Sequence, residues 1–224
     1  MSEDLRNWQP CPRPERVVLE GRYATLEPLS AAAHGDGLFT ASAVPDANAK
    51  FAWLYEYPPT GREDFLAWVE QVERSTDPLF FAVIDKVSGQ VAGRQSLMRI
   101  DPVNGVIEIG NIYWGPLISR RPAATEAQFL FMNYVFDELG YRRYEWKCNN
   151  RNEPSKRAAI RFGFQPEGVF RQHLIVKGEN RDTAWFSIID KEWPALRIAY
   201  ETWLDWSNFD GAGMQRHRLE ECRA

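Results

Sequence analysis

Several things are scarce in this chain, and each scarcity excludes a class of protein. Cysteine occurs three times in 224 residues, at Cys11, Cys148 and Cys222, with no Cys-x-x-Cys pair. Histidine also occurs three times, at His34, His173 and His217, in no ligand spacing. A disulfide framework and a structural zinc site are therefore excluded, and a reducing compartment is expected. No apolar run approaches membrane-spanning length, and the start Met1-Ser-Glu-Asp-Leu-Arg6 is unlike a signal peptide, so a cytoplasmic location without a membrane partner is expected. An excess of positive charge is missing too. The 27 Lys and Arg against 31 Asp and Glu give a net charge of −4, which argues against a general nucleic-acid binder. No Gly-x-x-x-x-Gly-Lys-Ser/Thr sequence supports a nucleoside-triphosphate site, and no internal repeat is visible.

What the chain does contain is organised around Ile109 to Ala127. Ile109 to Trp114 reads as a strand, Gly115-Pro116 breaks it, and from Ala123 apolar residues recur at helical spacing. A helix starting there turns free backbone N–H groups and the positive end of its dipole toward the turn, where Arg120 and Arg121 add charge. Such a helix start suits a phosphate or pyrophosphate.

Around it the elements follow in order. Pro10, Pro12 and Pro14 make residues 1–16 an extended arm, with Trp8 able to tuck it onto the rest. Val17 to Leu29 is a hairpin or one bent strand with Gly21 at the bend, and Ser30 caps a helix to Ser42 that Gly35 and Gly37 weaken. The proline- and aromatic-rich run 43–59 is either a packed connector or a substrate lid. Thr60 with Glu63 forms a capping box for a helix to Arg74, whose stripe is Phe65, Trp68, Val69 and Val72. Strands at Leu79–Asp85, Gln90–Ile100 and Val106–Trp114 make an antiparallel meander, and a helix from Ala123 to Leu139 ends at Gly140. The strand Tyr141–Cys148 completes a right-handed parallel crossover, and Asn152 caps a short helix ending at Phe162-Gly163. Strands Phe164–Val176 and Thr183–Ile189 flank a turn at 177–181, and Trp193–Trp206 is an amphipathic closing helix. The domain reading is an arm at 1–16, one domain at 17–190, and a helix and tail at 191–224 packed on it.

This order, together with Glu108-Ile-Gly110, Ala124-Thr-Glu-Ala127, Phe136-Asp-Glu-Leu-Gly-Tyr-Arg-Arg143, Asn152-Glu-Pro-Ser155 and Arg161 to Arg171, resembles the GNAT superfamily of acyl-CoA-dependent N-acetyltransferases, with closer likeness to the RimJ/RimL branch. The resemblance runs over most of Leu26 to Asp190. It implies an α+β (mixed α/β) fold with a central, mostly antiparallel mixed sheet of about seven strands and helices on both faces. One departure stands out. The family's loop is usually Gln/Arg-x-x-Gly-x-Gly/Ala, whereas Ser119-Arg-Arg-Pro-Ala-Ala124 has Pro122 at the first glycine and so lacks one N–H. Pro nonetheless suits a first helical turn.

The resemblance implies acetyl-CoA as co-substrate, no metal, and an acceptor that is a small amine or a protein N-terminus; a homodimer stays open. Cofactor contacts would come from Asn111, Ile112 and Tyr113 on the strand, from Arg120, Arg121, Ala123, Ala124 and Thr125 at the helix start, and from Asn152 and Ser155. A backbone N–H near Asn111 or Ile112 would polarise the thioester carbonyl. Ser155 would serve the departing sulfur by placement rather than acidity, against the plainer reading of a first-turn residue beside an Asn cap. Asn152 would hold cofactor or substrate, or only cap. Glu108 would take the amine proton, directly or through water, or else form a salt bridge across the sheet. His173 and Asp182 are alternative bases for which a structural or exposed role is favoured. On the acceptor side, Trp53, Tyr55 and Glu108 are the substrate candidates, and negative charge from Glu56 and Glu108 would favour a cationic amine or protein N-terminus over an acidic metabolite. The competing class is a non-catalytic acyl-CoA-binding module with the same fold.

Overall fold

Alternation along one strand decides the layers. In β3 (Leu79–Asp85), Leu79, Phe81 and Val83 point into one apolar cluster, and Phe80 and Ala82 into another. Period-two side chains on a fully buried strand need cover on both faces. The first cluster contains Ala127 and Phe131 of α4 (Pro122–Asn133) and Tyr200 and Trp203 of α6 (Trp193–Leu204). The second contains Leu38 of α1 (Ala31–Ser42) with Phe65 and Val69 of α3 (Arg62–Glu73). Helices therefore cover both faces, as expected. The structure is a computed structural model and describes residues 4–211 and 213–223; the first three residues of the expected arm, and residues 212 and 224 of the tail, lie outside them.

The sheet has eight strands among the described residues, in the order β1-β2-β3-β4-β5-β6-β8-β7. The strands not yet placed are β1 (Leu19–Glu20), β2 (Ala24–Pro28), β4 (Gln90–Asp101), β5 (Val106–Trp114), β6 (Arg143–Asn149), β7 (Gln165–Val176) and β8 (Glu179–Ile189). Only β5 and β6 pair in parallel, joined through α4, which is the expected crossover. Short helices α2 (Ala47–Phe51) and α5 (Glu153–Phe162) complete the set. Trp8 does hold the arm: its Nε1 donates to Val103 O at 2.7 Å, and the Arg142 guanidinium lies over its ring.

Several sequence expectations need correction. The capping box at Thr60 and Glu63 does not form; the helix begins at Arg62 with extended Gly61 as N-cap and no side-chain cap bond. Gly35 and Gly37 are less weak points than contact points, since a Cβ on Gly35 would come within 2.6 Å of Leu66 and one on Gly37 within 2.8 Å of Val91. The helix expected to reach Leu139 ends as α-helix at Asn133 and continues as a π turn over Tyr134–Glu138, with Leu139 N donating to Tyr134 O. The turn expected at 177–181 is only Lys177-Gly178, both with positive φ (52° and 78°). Two such residues match the twist of a tight hairpin, so pairing resumes at Glu179 and Arg181 lies in β8 opposite Leu174.

One buried carboxylate ties the sheet to the crossover helix. Glu126, near the start of α4, accepts backbone N–H bonds from Arg22, Tyr23 and Ala24, the residues that follow Gly21 in the β1–β2 turn.

Candidate active site

Backbone pairing between β5 and β6 runs from Val106–Arg143 to Ile109–Trp146 and then stops, although both strands continue. The cause lies on the other side of β5. There Ser96 faces Gly110 and Arg94 faces Tyr113, so Asn111 and Ile112 together stand opposite the single residue Gln95. This is a bulge, and Asn111 absorbs it at φ 51°, a conformation that Asn tolerates better than most residues. Its Nδ2 donates to Ser96 Oγ at 2.9 Å, and its carbonyl accepts Arg94 Nη1 at 2.7 Å. Beyond the last pair a cavity of about 390 Å³ opens, lined by Asn111, Ile112, Trp146, Cys148, Asn152 and Ser155 on one part and by Trp53, Tyr55, Arg99, Glu108, Lys147 and Arg181 on another.

Ser155 sits in the first turn of α5 because Asn152 Oδ1 accepts its N–H at 3.2 Å, the cap that the sequence implies. Its Oγ accepts the Trp146 indole N–H at 2.9 Å. A hydroxyl that already accepts a hydrogen bond keeps its own O–H as a donor, so Ser155 is arranged to give a hydrogen bond. Asn152 both caps and lines the cavity. Cys148 is the thiol in the lining, and burial pushes its pKa up, which keeps it a thiol at neutral pH.

Glu108 stands directly opposite Glu145 on β6, an arrangement of like charges that needs a cation between them. Lys147 supplies it, with Nζ at 2.8 Å from Glu108 and 2.6 Å from Glu145, over the Trp185 ring at 3.8 Å. Arg99 Nη1 also reaches Glu108 at 2.7 Å. The cross-sheet salt bridge considered from the sequence is thus present, and Glu108 lines the cavity as well. The expectation of a negatively charged acceptor side is not met. Glu56 is drawn out of the cavity into an ion pair with buried Arg94, and Glu108 is matched by two cations. Sequence reading could not see this, since Arg99, Lys147 and Arg181 carry no motif and reach the cavity by register and hairpin geometry, while Arg94 meets Glu56 away from the cavity lining.

The connector 43–59 forms a wall of the cavity. Trp53 and Tyr55 line it, Lys177 Nζ donates to Phe51 O at 2.9 Å, and Arg181 and Arg151 lie over the Tyr55 and Trp53 rings. His173 Nδ1 pairs with Thr183 Oγ1 and Asp182 accepts from Gln172 N; neither residue is among those lining this cavity.

The expected phosphate-binding residues are more dispersed. Ser119 lines the cavity, while Arg120 (φ 62°) and Arg121 are exposed, and Arg121 is the N-cap residue of α4 with Pro122 at its first turn. Arg121, Pro122 and Ala123 line a second cavity with Tyr23, Trp206 and Phe209. Ala124 and Thr125 are buried, Thr125 Oγ1 accepting from Arg161 at 3.1 Å. Tyr113 is buried with its hydroxyl on Ala41 O at 2.6 Å, and burial pushes its pKa up to about 12. These three place no side chain on the main cavity.

Comparison with known proteins agrees with the fold. The model of the acetyltransferase (GNAT) domain matches residues 24–165. A crystal structure of a GCN5-related N-acetyltransferase from Brucella melitensis is 68% identical, with a TM-score of 0.97 over 98% of this chain and 99% of that one. A protein from Chromobacterium violaceum described as a probable acetyltransferase of the GNAT family is 36% identical, with a TM-score of 0.80 over 87% of this chain and 97% of that one. Among curated proteins, the uncharacterized N-acetyltransferase p20 of Bacillus licheniformis is 32% identical over 50% of this chain. The match spans 63% of that relative, less than two thirds of its length.

Proposed function

Since the chain belongs to the GNAT acetyltransferase family, we propose that it transfers an acetyl group from acetyl-CoA directly to a primary amine, of a small molecule or a protein N-terminus. The observation that carries this reading is the cavity between the diverging strands, with a bulged backbone at Asn111 and Ile112 on one side and the Ser155 hydroxyl on the other. These residues fit an acyl thioester. Bound acetyl-CoA supplies an activated carbonyl; the chain supplies the surroundings. The backbone of the bulge offers N–H to the carbonyl oxygen as it gains charge. Ser155 gives a hydrogen bond to the sulfur as the C–S bond breaks. Glu108, the carboxylate that lines the cavity, receives the amine proton directly or through water as the C–N bond forms. Arg120 and Arg121, exposed beside the start of α4, are the residues for the cofactor phosphates, with Pro122 subtracting one donor.

The state of Cys148 supports direct transfer. Burial pushes its pKa up, and a protonated thiol is a poor nucleophile for taking up an acyl group. The test combines binding and turnover. Acetyl-CoA at a hundredfold excess over Kd is expected to stabilise the protein by about 2.7 kcal/mol, read as a raised melting temperature. Thiol release should depend on added amine, and Cys148→Ala should release thiol at the wild-type rate. A thermal shift without amine-dependent release would make the protein an acyl-CoA-binding module, a reading that the altered loop at Pro122 leaves open. No shift at millimolar acetyl-CoA would remove both.

Glu108→Gln is expected to lower kcat/KM about tenfold or more near neutral pH, with part of the loss recovered at higher pH where the free amine is more abundant. A pH–rate profile that superimposes on the wild type would remove Glu108 from the proton's path.

A further inference from the structure

Charge in the main cavity is unbalanced. Lys50, Arg99, Lys147 and Arg181 line it against the single carboxylate of Glu108. Three of the four cations have partners: Lys50 reaches Asp46 at 3.4 Å, and Arg99 and Lys147 share Glu108. Arg181 does not. It is only 7% exposed, its Nε meets no acceptor, and among the described residues no carboxylate pairs with its guanidinium. The Tyr55 ring 5.3 Å away supports the cation through its π face but brings no counter-charge. A buried charge without a partner is strongly unfavourable and is kept where a ligand completes it.

We propose that Arg181 binds a carboxylate on the acceptor, and that the acceptor is a small amine carrying that carboxylate in the same molecule, an amino-acid-like zwitterion. The inference rests on the acetyltransferase reading above and names the substrate class of that site. A planar guanidinium fork matches a carboxylate in two parallel hydrogen bonds, which a lysine in the same place would not do. A small acceptor follows from space. The cavity of about 390 Å³ lies toward the lower end of ligand pockets and has to take the thioester end as well. The wall that carries Tyr55 is fastened by the Arg94–Glu56 pair and by Lys177 on Phe51 O.

Titration calorimetry, with and without CoA, tests this on the intact protein. The probes are N-acetyl amino acids, the products such acceptors would yield, and their uncharged N-methylamides. Wild-type protein is expected to bind the acids about tenfold or more tightly than the matched amides. Arg181→Gln should abolish that difference while leaving the amides' affinities unchanged, and should melt no lower than wild type, because it removes an unpaired buried charge. Arg181→Lys, which keeps the charge without the fork, should fall between. Equal binding of acids and amides by the wild type, binding of neither, or an acid preference that survives in Arg181→Gln would each overturn the proposal. Tighter binding of N-acetylated peptides with amidated C-termini than of the acids would overturn it too. The titration reads no turnover, so it fails or succeeds separately from the thiol-release assay.

Discussion

Ser155→Ala is expected to lower kcat about a hundredfold while leaving the Kd for acetyl-CoA nearly unchanged, which is the signature of an interaction made only as the sulfur departs. The size follows from placement. Asn152 fixes the start of α5, Trp146 occupies one lone pair of the hydroxyl, and the O–H is left to point at whatever shares the cavity with Cys148. Water substitutes poorly, because the freed Trp146 indole N–H can hold one but the helix start no longer fixes its position. Single-turnover thiol release gives the rate of the chemical step, and calorimetry gives the Kd. Ser155→Cys should recover part of the loss. A chemical step within about twofold of wild type would return Ser155 to a capping role.

Glu126→Ala should lower the melting temperature by roughly 10 °C, corresponding to about 3–5 kcal/mol. Three backbone N–H groups of the β1–β2 turn converge on this carboxylate, and two of them belong to buried residues, Tyr23 and Ala24. Removing the acceptor leaves those donors without a partner and away from water. Gly21→Ala should destabilise from the opposite side, since a Cβ there would stand 2.4 Å from the carboxylate carbon. Glu126→Gln keeps an acceptor oxygen and should lose roughly half as much. Thermal melts followed by circular dichroism would measure all three. A Glu126→Ala protein that melts within two or three degrees of wild type would show that water reaches the turn.

What was legible in the chain was local. The run Val106–Trp114 carries its own strand pattern and ends at Gly115-Pro116, and its observed bounds are those read from sequence. Asn152, Pro154 and Gly163 mark the beginning and end of α5 through capping chemistry, which acts over a few residues. Legibility failed where partners are far apart. Glu56 carries no sign of its partner until Arg94 is brought beside it, and the cross-sheet salt bridge open to Glu108 has no named partner until β6 sets Lys147 against it. The hairpin at Lys177-Gly178 hid Arg181 for another reason. A lysine at φ 52° is uncommon, so residues 177–181, four polar residues and a glycine, look like a long turn rather than a tight one followed by strand. At Asn111 a signal was available: Gly110-Asn111 inside an apolar strand is a bulge sequence, but whether a bulge forms depends on the neighbouring strand.

Mechanically, the sheet is two plates joined along one short ladder. β1 to β5 form one plate and β6, β8 and β7 the other, and the ladder between them is the four residue pairs from Val106–Arg143 to Ile109–Trp146. Past that ladder no backbone rung joins the plates, and side chains bridge the gap instead: Lys177 on Phe51 O, Arg181 over the Tyr55 ring and Arg151 over the Trp53 ring. The width of the gap where Ile112 and Cys148 stand is therefore held by side chains and by the shared core, not by the ladder. At the paired end the ladder is reinforced by Lys147, which holds Glu108 of one plate and Glu145 of the other.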